Sequence, residues 1–351
     1  MQLDTSGLSA RVEALAARLW WQAPPSPLAR LLQPLSCLYL GLVRLHDRLQ
    51  PVPQKLPVPV LVVGNCVVGG AGKTPTVIAL VQAFQAAGHR PGVISRGHGR
   101  SAGGSDGPDE TPHEVLLSDS AALAGDEPLL IRRRCQVPVF VGLRRDQVGR
   151  ALCAAHPQVD LLISDDGLQH RALARDAELM VFDERGIGNG LLLPAGPLRE
   201  PLAAAQGRQV LYTSGHASTA LPGTLALRSI DEAWPLQAWH EGAASAALPL
   251  SSLAGRPLLA VAGLAAPEKF FGMLAGQGLS FQPCPLPDHH PYLTLPWPPE
   301  TSDVITTEKD AVKLVGHALG ATRVWVVPLD LALPHGLVAQ LINQLFCERS
   351  A

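Results

Sequence analysis

Short apolar runs and helix-period stretches alternate through most of this chain. Runs at 58–63, 92–95, 138–141, 159–164, 178–182 and 209–213 are four to six residues long and rich in Val, Leu and Ile. Between them, 76–87, 129–134 and 148–155 carry apolar residues at helical spacing. Buried strands separated by helices predict an α/β fold with a mostly parallel sheet covered on both faces. The pattern weakens over 214–250, where Gly, Ala and Ser are enriched, and a second set follows. Its expected strands are 258–262, 304–306 and 323–327, and its expected helices 267–277 and 309–314. The reading is a larger α/β core over 51–224 and a smaller α/β domain over 225–351.

The first fifty residues follow another pattern. Val12, Leu15, Ala16 and Leu19 repeat at helical spacing and end at Trp20–Trp21. After the break Pro24-Pro25-Ser26-Pro27, a second stripe uses Leu28, Leu31, Leu32, Leu35, Leu38, Leu42 and Leu45, flanked by Arg30, Arg44 and Arg48. The uninterrupted apolar core is far shorter than the ~20 residues a membrane span needs. Two readings stand: an amphipathic segment lying at a membrane interface, or a helical hairpin packed on the protein's own core. The region 1–50 is set apart as this helical segment.

The 351 residues suffice for two domains. With 47% apolar residues, 17% charged and a net charge of −2, the chain is globular and lacks the basic excess of a nucleic-acid binder. Its six cysteines form no Cys-x-x-Cys pair, which argues against a zinc site or a disulfide framework and for a reducing compartment. Arg11, Glu13 and Arg18 interrupt any signal-peptide core. Lysines are few beside arginines, so Lys73, Lys269, Lys309 and Lys313 stand out.

The first run ends in Gly64-Asn65-Cys66-Val67-Val68-Gly69-Gly70-Ala71-Gly72-Lys73-Thr74-Pro75. A strand, a glycine-rich turn, Lys-Thr and then a helix is the layout of a phosphate-binding loop. Backbone N–H groups close around an anion, the lysine reaches the β- and γ-phosphates, and the threonine hydroxyl sits on Mg²⁺. Val67 stands where the common pattern has its first Gly. A dinucleotide turn fits less well, because Pro75 replaces its third Gly.

The run at 159–164 leads into Asp165-Asp166-Gly167-Leu168-Gln169-His170. A carboxylate at the C-terminal end of a buried strand is the expected Mg²⁺ partner of such a loop, and either Asp165 or Asp166 fits. Arg96, in Ser95-Arg96-Gly97-His98-Gly99-Arg100, is suited to gripping phosphate oxygens. Gly125-Asp126-Glu127-Pro128 reads alone as helix-start chemistry, and Asp288-His289-His290 as a weak proton-acceptor motif. Thr307-Glu308-Lys309-Asp310 is not a guanine-specificity motif, since Glu308 intervenes before the lysine; its role stays open.

These motifs, with Leu193-Pro194-Ala195-Gly196-Pro197-Leu198-Arg199-Glu200 and the extension to Ala311-Val312-Lys313, resemble in order those of the tetraacyldisaccharide 4′-kinases. The resemblance runs from about residue 10 to 330 and covers the unusual Val-Gly-Gly-x-Gly-Lys-Thr loop. It implies a P-loop α/β core, a smaller α/β domain on a flexible linker, and transfer of the γ-phosphate of ATP to the 4′-hydroxyl of a tetraacylated glucosamine disaccharide 1-phosphate in lipid A biosynthesis. It further implies a peripheral protein on the cytoplasmic face of the bacterial inner membrane, expected as a monomer, with its N-terminal helices at the lipid surface.

By position, the resemblance assigns Asp126 and His289 to catalysis beside Lys73, with His290 ranked below His289. ATP would lie on Val67, Val68, Gly69, Gly70, Ala71, Gly72, Lys73 and Thr74; Mg²⁺ on Thr74 with Asp165 or Asp166; and substrate near Arg96 and Arg199. His98 departs from the family's usual Tyr. The alternative from another class is a P-loop ATPase switch or partitioning protein at the membrane surface, which needs no sugar base.

Overall fold

The computed structural model describes residues 15–16, 18–50, 52–97 and 111–347. The expected helix from Val12 begins outside these residues, and His98, Gly99 and Arg100 also lie outside them. Near the N-terminus lie α1 (Pro27–Leu31) and α2 (Gln33–Leu49). The first sheet then brings β1 (Val60–Gly64), α3 (Lys73–Ala86), β2 (Pro91–Ser95), β3 (His113–Glu114), α4 (Ala121–Ala124), α5 (Asp126–Cys135), β4 (Val139–Val141), α6 (Arg145–Ala155), β5 (Leu161–Asp165), β6 (Ala177–Phe182), β7 (Gln209–Tyr212) and β8 (Thr224–Leu225). Next come β9 (Leu227–Ser229), β10 (Glu232–Pro235), α7 (Leu236–Glu241), β11 (Leu248–Pro249), β12 (Leu258–Ala262), α8 (Pro267–Gly276) and β13 (Phe281–Pro285). The chain closes with β14 (Asp303–Thr307), α9 (Glu308–Leu314), β15 (Arg323–Val327), β16 (Asp330–Ala332) and α10 (Leu337–Ile342).

The first sheet has the order β3-β4-β2-β5-β1-β6-β7-β8, and all its pairs are parallel except β3 with β4. Strand β1 is central, and its register sets Val63 beside Asp165 of β5. The carboxylate therefore leaves the sheet next to the glycine-rich turn. Successive β1 side chains serve opposite faces, with Leu61 and Val63 in one core cluster and Val60 and Val62 in another. Both faces are buried, so the strand reads as an unbroken apolar run.

The second sheet has the order β11-β10-β15-β14-β12-β13, and β9, between the two sheets in sequence, pairs antiparallel with β16, which follows β15. The cluster holding Leu61 and Val63 continues into Val261, Val304 and Val326 of this second lobe, so the two lobes share one apolar core.

Helix α3 starts at Lys73, three residues before the sequence expectation. Gly72, at φ +83°, caps it in the left-handed region, and Pro75 falls in the first turn, where no backbone N–H is needed. Asp165 continues β5 one residue past the expected strand end. The weakly patterned 214–250 stretch contains β8 to β11 and α7, elements too short to show a period.

Helices α1 and α2 are not packed on the core through their apolar stripe. Leu31 is 76% exposed, and Leu28, Leu35, Leu38, Leu42, Leu45 and Leu49 are also exposed. The polar side faces the protein: Ser36 Oγ donates to Leu192 O (2.8 Å) and Tyr39 Oη to Arg199 O (3.0 Å), and Arg171 pairs with Asp47 (2.8 Å). Among the described residues no helix is long and apolar enough to cross a membrane.

Candidate active site

The turn after β1 is shaped by its glycines. Gly69 (φ +90°) and Gly72 take backbone conformations that disfavour a side chain. On its outer side Val68 N–H donates to Pro197 O (2.9 Å) and Arg199 N–H to Cys66 O (2.7 Å), so the 193–200 segment is strapped along the turn. Lys73, the first residue of α3, donates to Asn65 Oδ1 (3.3 Å) and lies 3.4 Å from Asp166 Oδ1. Thr74 follows it, half-buried. Arg199 reaches the same Asp166 oxygen at 3.6 Å.

The two adjacent acids differ. Asp166 (φ +48°) lies between Lys73 and Arg199. Burial pushes its carboxyl pKa up, but the two cations and the Lys73 hydrogen bond outweigh burial and hold it below the usual range. Asp165 is 3% exposed; Ser95 Oγ donates to its Oδ2 (3.3 Å), and Oδ1 has no partner among the described residues. Burial pushes Asp165 up to about 7, with Glu127 and Asp166 adding to it, while Lys73 and Arg145 only partly offset the rise. A buried acidic oxygen without a donor is what a hard cation would satisfy.

Arg145 was not anticipated from sequence. Buried at the start of α6, it donates to Gly142 O (3.2 Å) and to the backbone carbonyl of Asp165 (3.0 Å), which fixes that carboxylate's peptide. Burial lowers its pKa to about 10. His170 is pushed down to about 4 by burial, then by Arg145 and Arg96, and so stays neutral at pH 7. Arg96 itself is exposed just after β2. Arg185 was also missed: it donates to Gly70 O of the loop, pairs with Asp183 (2.8 Å) and lies over the Trp21 ring (4.5 Å).

Asp126 is the first residue of α5, which packs against α9 of the second lobe. Its Oδ2 accepts from His289 Nδ1 (3.1 Å) and Lys313 Nζ (3.0 Å). Burial raises the Asp126 pKa, but the hydrogen bonds and charges of His289 and Lys313 win and lower it; the same bond to Asp126 raises His289. Lys309 Nζ donates to His289 Nε2 (3.1 Å), which leaves the proton on Nδ1 facing Asp126. His290 instead accepts from Tyr292 N–H through Nδ1 (3.2 Å), with its ring against Tyr292, and makes no contact with Asp126.

The structure therefore forms two groups. One is Lys73, Asp166 and Arg199 with Asp165; the other is Asp126 with His289. Glu127 links them, since it follows Asp126 and its charge acts on Asp165. Lys309 and Lys313, four residues apart and so on one face of a helix, carried a readable signal, but nothing local named their partner.

A glycine-rich turn with lysine at a helix start, acids at the adjacent strand end and a His-oriented carboxylate define a P-loop-type phosphotransferase. A sequence profile of the LpxK family, described as tetraacyldisaccharide-1-P 4′-kinase, matches residues 28–346. The tetraacyldisaccharide 4′-kinase of Leptothrix cholodnii is 49% identical, over 98% of this chain and 99% of that one. That of Methylibium petroleiphilum is 47% identical, over 96% and 94% respectively. The crystal structure of the "apo" form of LpxK from Aquifex aeolicus in complex with ATP superimposes with a TM-score of 0.74 at 27% identity, covering 91% of this chain and all of that one. The chain belongs to the tetraacyldisaccharide-1-P 4′-kinase family, and it is a kinase of lipid A biosynthesis.

Proposed function

We propose that the protein transfers the γ-phosphate of ATP to the 4′-hydroxyl of a tetraacylated glucosamine disaccharide 1-phosphate, with Asp126 as the proton acceptor. One observation carries this reading: His289 of the second lobe holds the Asp126 carboxylate, and the residue after it, Glu127, is near enough for its charge to act on Asp165. A switch ATPase has no use for such a pair.

The phosphates lie on Val67–Thr74, drawn by backbone N–H groups and the N-terminus of α3. Lys73 offsets the charge of the β/γ bridge. A secondary sugar hydroxyl is a poor nucleophile, and Asp126 takes its proton as the oxygen attacks phosphorus in line. His289, donating through Nδ1, orients the carboxylate. The oxygen donors Thr74, Asp165 and Asp166 fit Mg²⁺, and the unpartnered Asp165 Oδ1 supports that fit. When bound, Mg²⁺ offsets phosphate charge during transfer. Arg199, beside Asp166, and Arg96 are assigned to phosphate or substrate.

The reading places this segment against the acyl chains and lipid surface, peripherally, at the cytoplasmic face of the inner membrane; the exposed leucines of α1 and α2 support the lipid contact. Residues 1–50 form that segment, 51–224 the nucleotide core and 225–351 the closing domain, in a monomer. Offering γ-labelled ATP to tetraacyldisaccharide 1-phosphate in detergent tests the proposal. Labelled lipid is expected, and Asp126→Asn should lower kcat by roughly 10²–10⁴-fold with little effect on ATP binding. Free phosphate without labelled lipid would overturn it.

A further inference from the structure

The Thr307-Glu308-Lys309-Asp310-Ala311-Val312-Lys313 stretch has no role in the scheme above, yet it forms α9, and both its lysines point at the Asp126–His289 pair. Lys313 is well enclosed, its side chain 7% exposed. It lies between Asp126 Oδ2 of the first lobe (3.0 Å) and Asp310 Oδ1 of its own helix (3.9 Å), with the Tyr292 ring 5.6 Å away.

Asp310 is itself anchored. Its Oδ2 accepts from Gly263 N–H (3.0 Å) and Thr307 Oγ1 (2.7 Å), while its buried Oδ1 has no hydrogen bond. That oxygen is the second anionic neighbour of the Lys313 ammonium, on the side of its own helix. Across the interface, both donors to Asp126 use Oδ2. Oδ1 accepts no hydrogen bond among the described residues, which leaves it for an incoming hydroxyl.

We infer that Lys313 is a positioning residue for phosphoryl transfer: with His289 it pins Oδ2 of Asp126 from the second lobe, so that Oδ1 is presented to the acceptor hydroxyl only when the lobes meet. The inference rests on Asp126 as the proton acceptor. A base assembled from both lobes is incomplete while they are apart, which limits transfer of the γ-phosphate to water before the sugar is enclosed.

The test uses the full-length enzyme in detergent with γ-labelled ATP and tetraacyldisaccharide 1-phosphate. Lys313→Met keeps the length of the side chain and removes its charge. It lowers kcat by about 10–100-fold, the cost of a misplaced reacting group, with KM for ATP little changed. It also moves the acidic limb of the kcat–pH profile to higher pH by about one unit or more, because Asp126 loses an opposite charge. The other titratable groups around this carboxylate are His289, which touches it, and Lys309, Glu127, Asp288 and Asp310 behind. Lys313→Arg, which keeps a charged donor, restores most of kcat.

In an Asp126→Asn background, Lys313→Met changes the residual rate by less than about twofold, since the residue through which it acts is gone. Should Lys313→Met not fold, Lys313→Gln is measured in the same way. Wild-type kcat and an unmoved acidic limb overturn the inference. So does an equal loss with and without the Asp126 carboxylate, which marks a purely structural lysine. If Asp126→Asn alone keeps near-normal turnover, the proton-acceptor assignment has failed, and this inference falls with it.

Discussion

Replacing Asp165 by Asn should make the nucleotide-free protein more stable while disabling it. Asp165 is 3% exposed and one of its oxygens has no donor. Its pKa stands at about 7 because burial outweighs the attraction of Lys73 and Arg145. Against an ordinary value near 3.9, that rise corresponds to roughly 4 kcal/mol of charge-burial cost at pH 8. The sign follows from linkage: the folded state holds the extra proton between about pH 4 and 7, so stability falls as pH rises through that window. The amide still has to be buried and recovers only part of this, about 1–3 kcal/mol.

At roughly 2–4 °C per kcal/mol, Tm at pH 8 should rise by about 2–12 °C. Saturating ATP with Mg²⁺ should stabilise the wild type further, by about 2.7 kcal/mol at a hundred times Kd, and the variant much less. Thermal melts of both proteins with and without nucleotide check this. A lower Tm for the nucleotide-free variant, or an undiminished nucleotide shift, would refute the reasoning.

Three further outcomes are expected. Lys73→Ala should lower kcat by at least about a hundredfold, since the proposed mechanism has its charge offset that of the phosphates; steady-state kinetics with labelled ATP would show it. Leu31→Asp combined with Leu38→Asp should reduce co-sedimentation with lipid vesicles while leaving the far-UV spectrum unchanged, because both side chains are exposed. The His289–Asp126 contact raises the His289 pKa, so its stabilisation is complete below about pH 6.5 and is lost as pH rises through the higher folded value. Melts of wild type and His289→Gln across pH 6 to 9 should converge toward the alkaline end.

Much of the first sheet was legible because its strands are buried on both faces, so that 58–63 and 159–164 read as mainly apolar runs within two residues of β1 and β5. The glycine-rich turn was legible as local backbone chemistry. The stretch from 214 to 250 was not, since strands of two to four residues leave no period. Arg145 itself, and the partner of Lys313, were illegible for another reason. The partners of these two side chains lie 20 and 187 positions away, at the end of an interior strand and across a lobe interface. A solvated arginine and a buried one look alike in sequence. The N-terminal stripe could be read as core or as surface, and the exposure of its leucines separates the two.

The central claim is a geometric one: the Lys73 turn and the Asp126 carboxylate serve the same phosphorus. A crystal structure with a non-hydrolysable ATP analogue and Mg²⁺ tests it most directly. The account predicts the triphosphate along Val67–Thr74, with its terminal phosphorus facing Asp126 Oδ1 across a gap that fits one hydroxyl. An empty turn, or a terminal phosphate directed away from Asp126 with the lobes together, would contradict it.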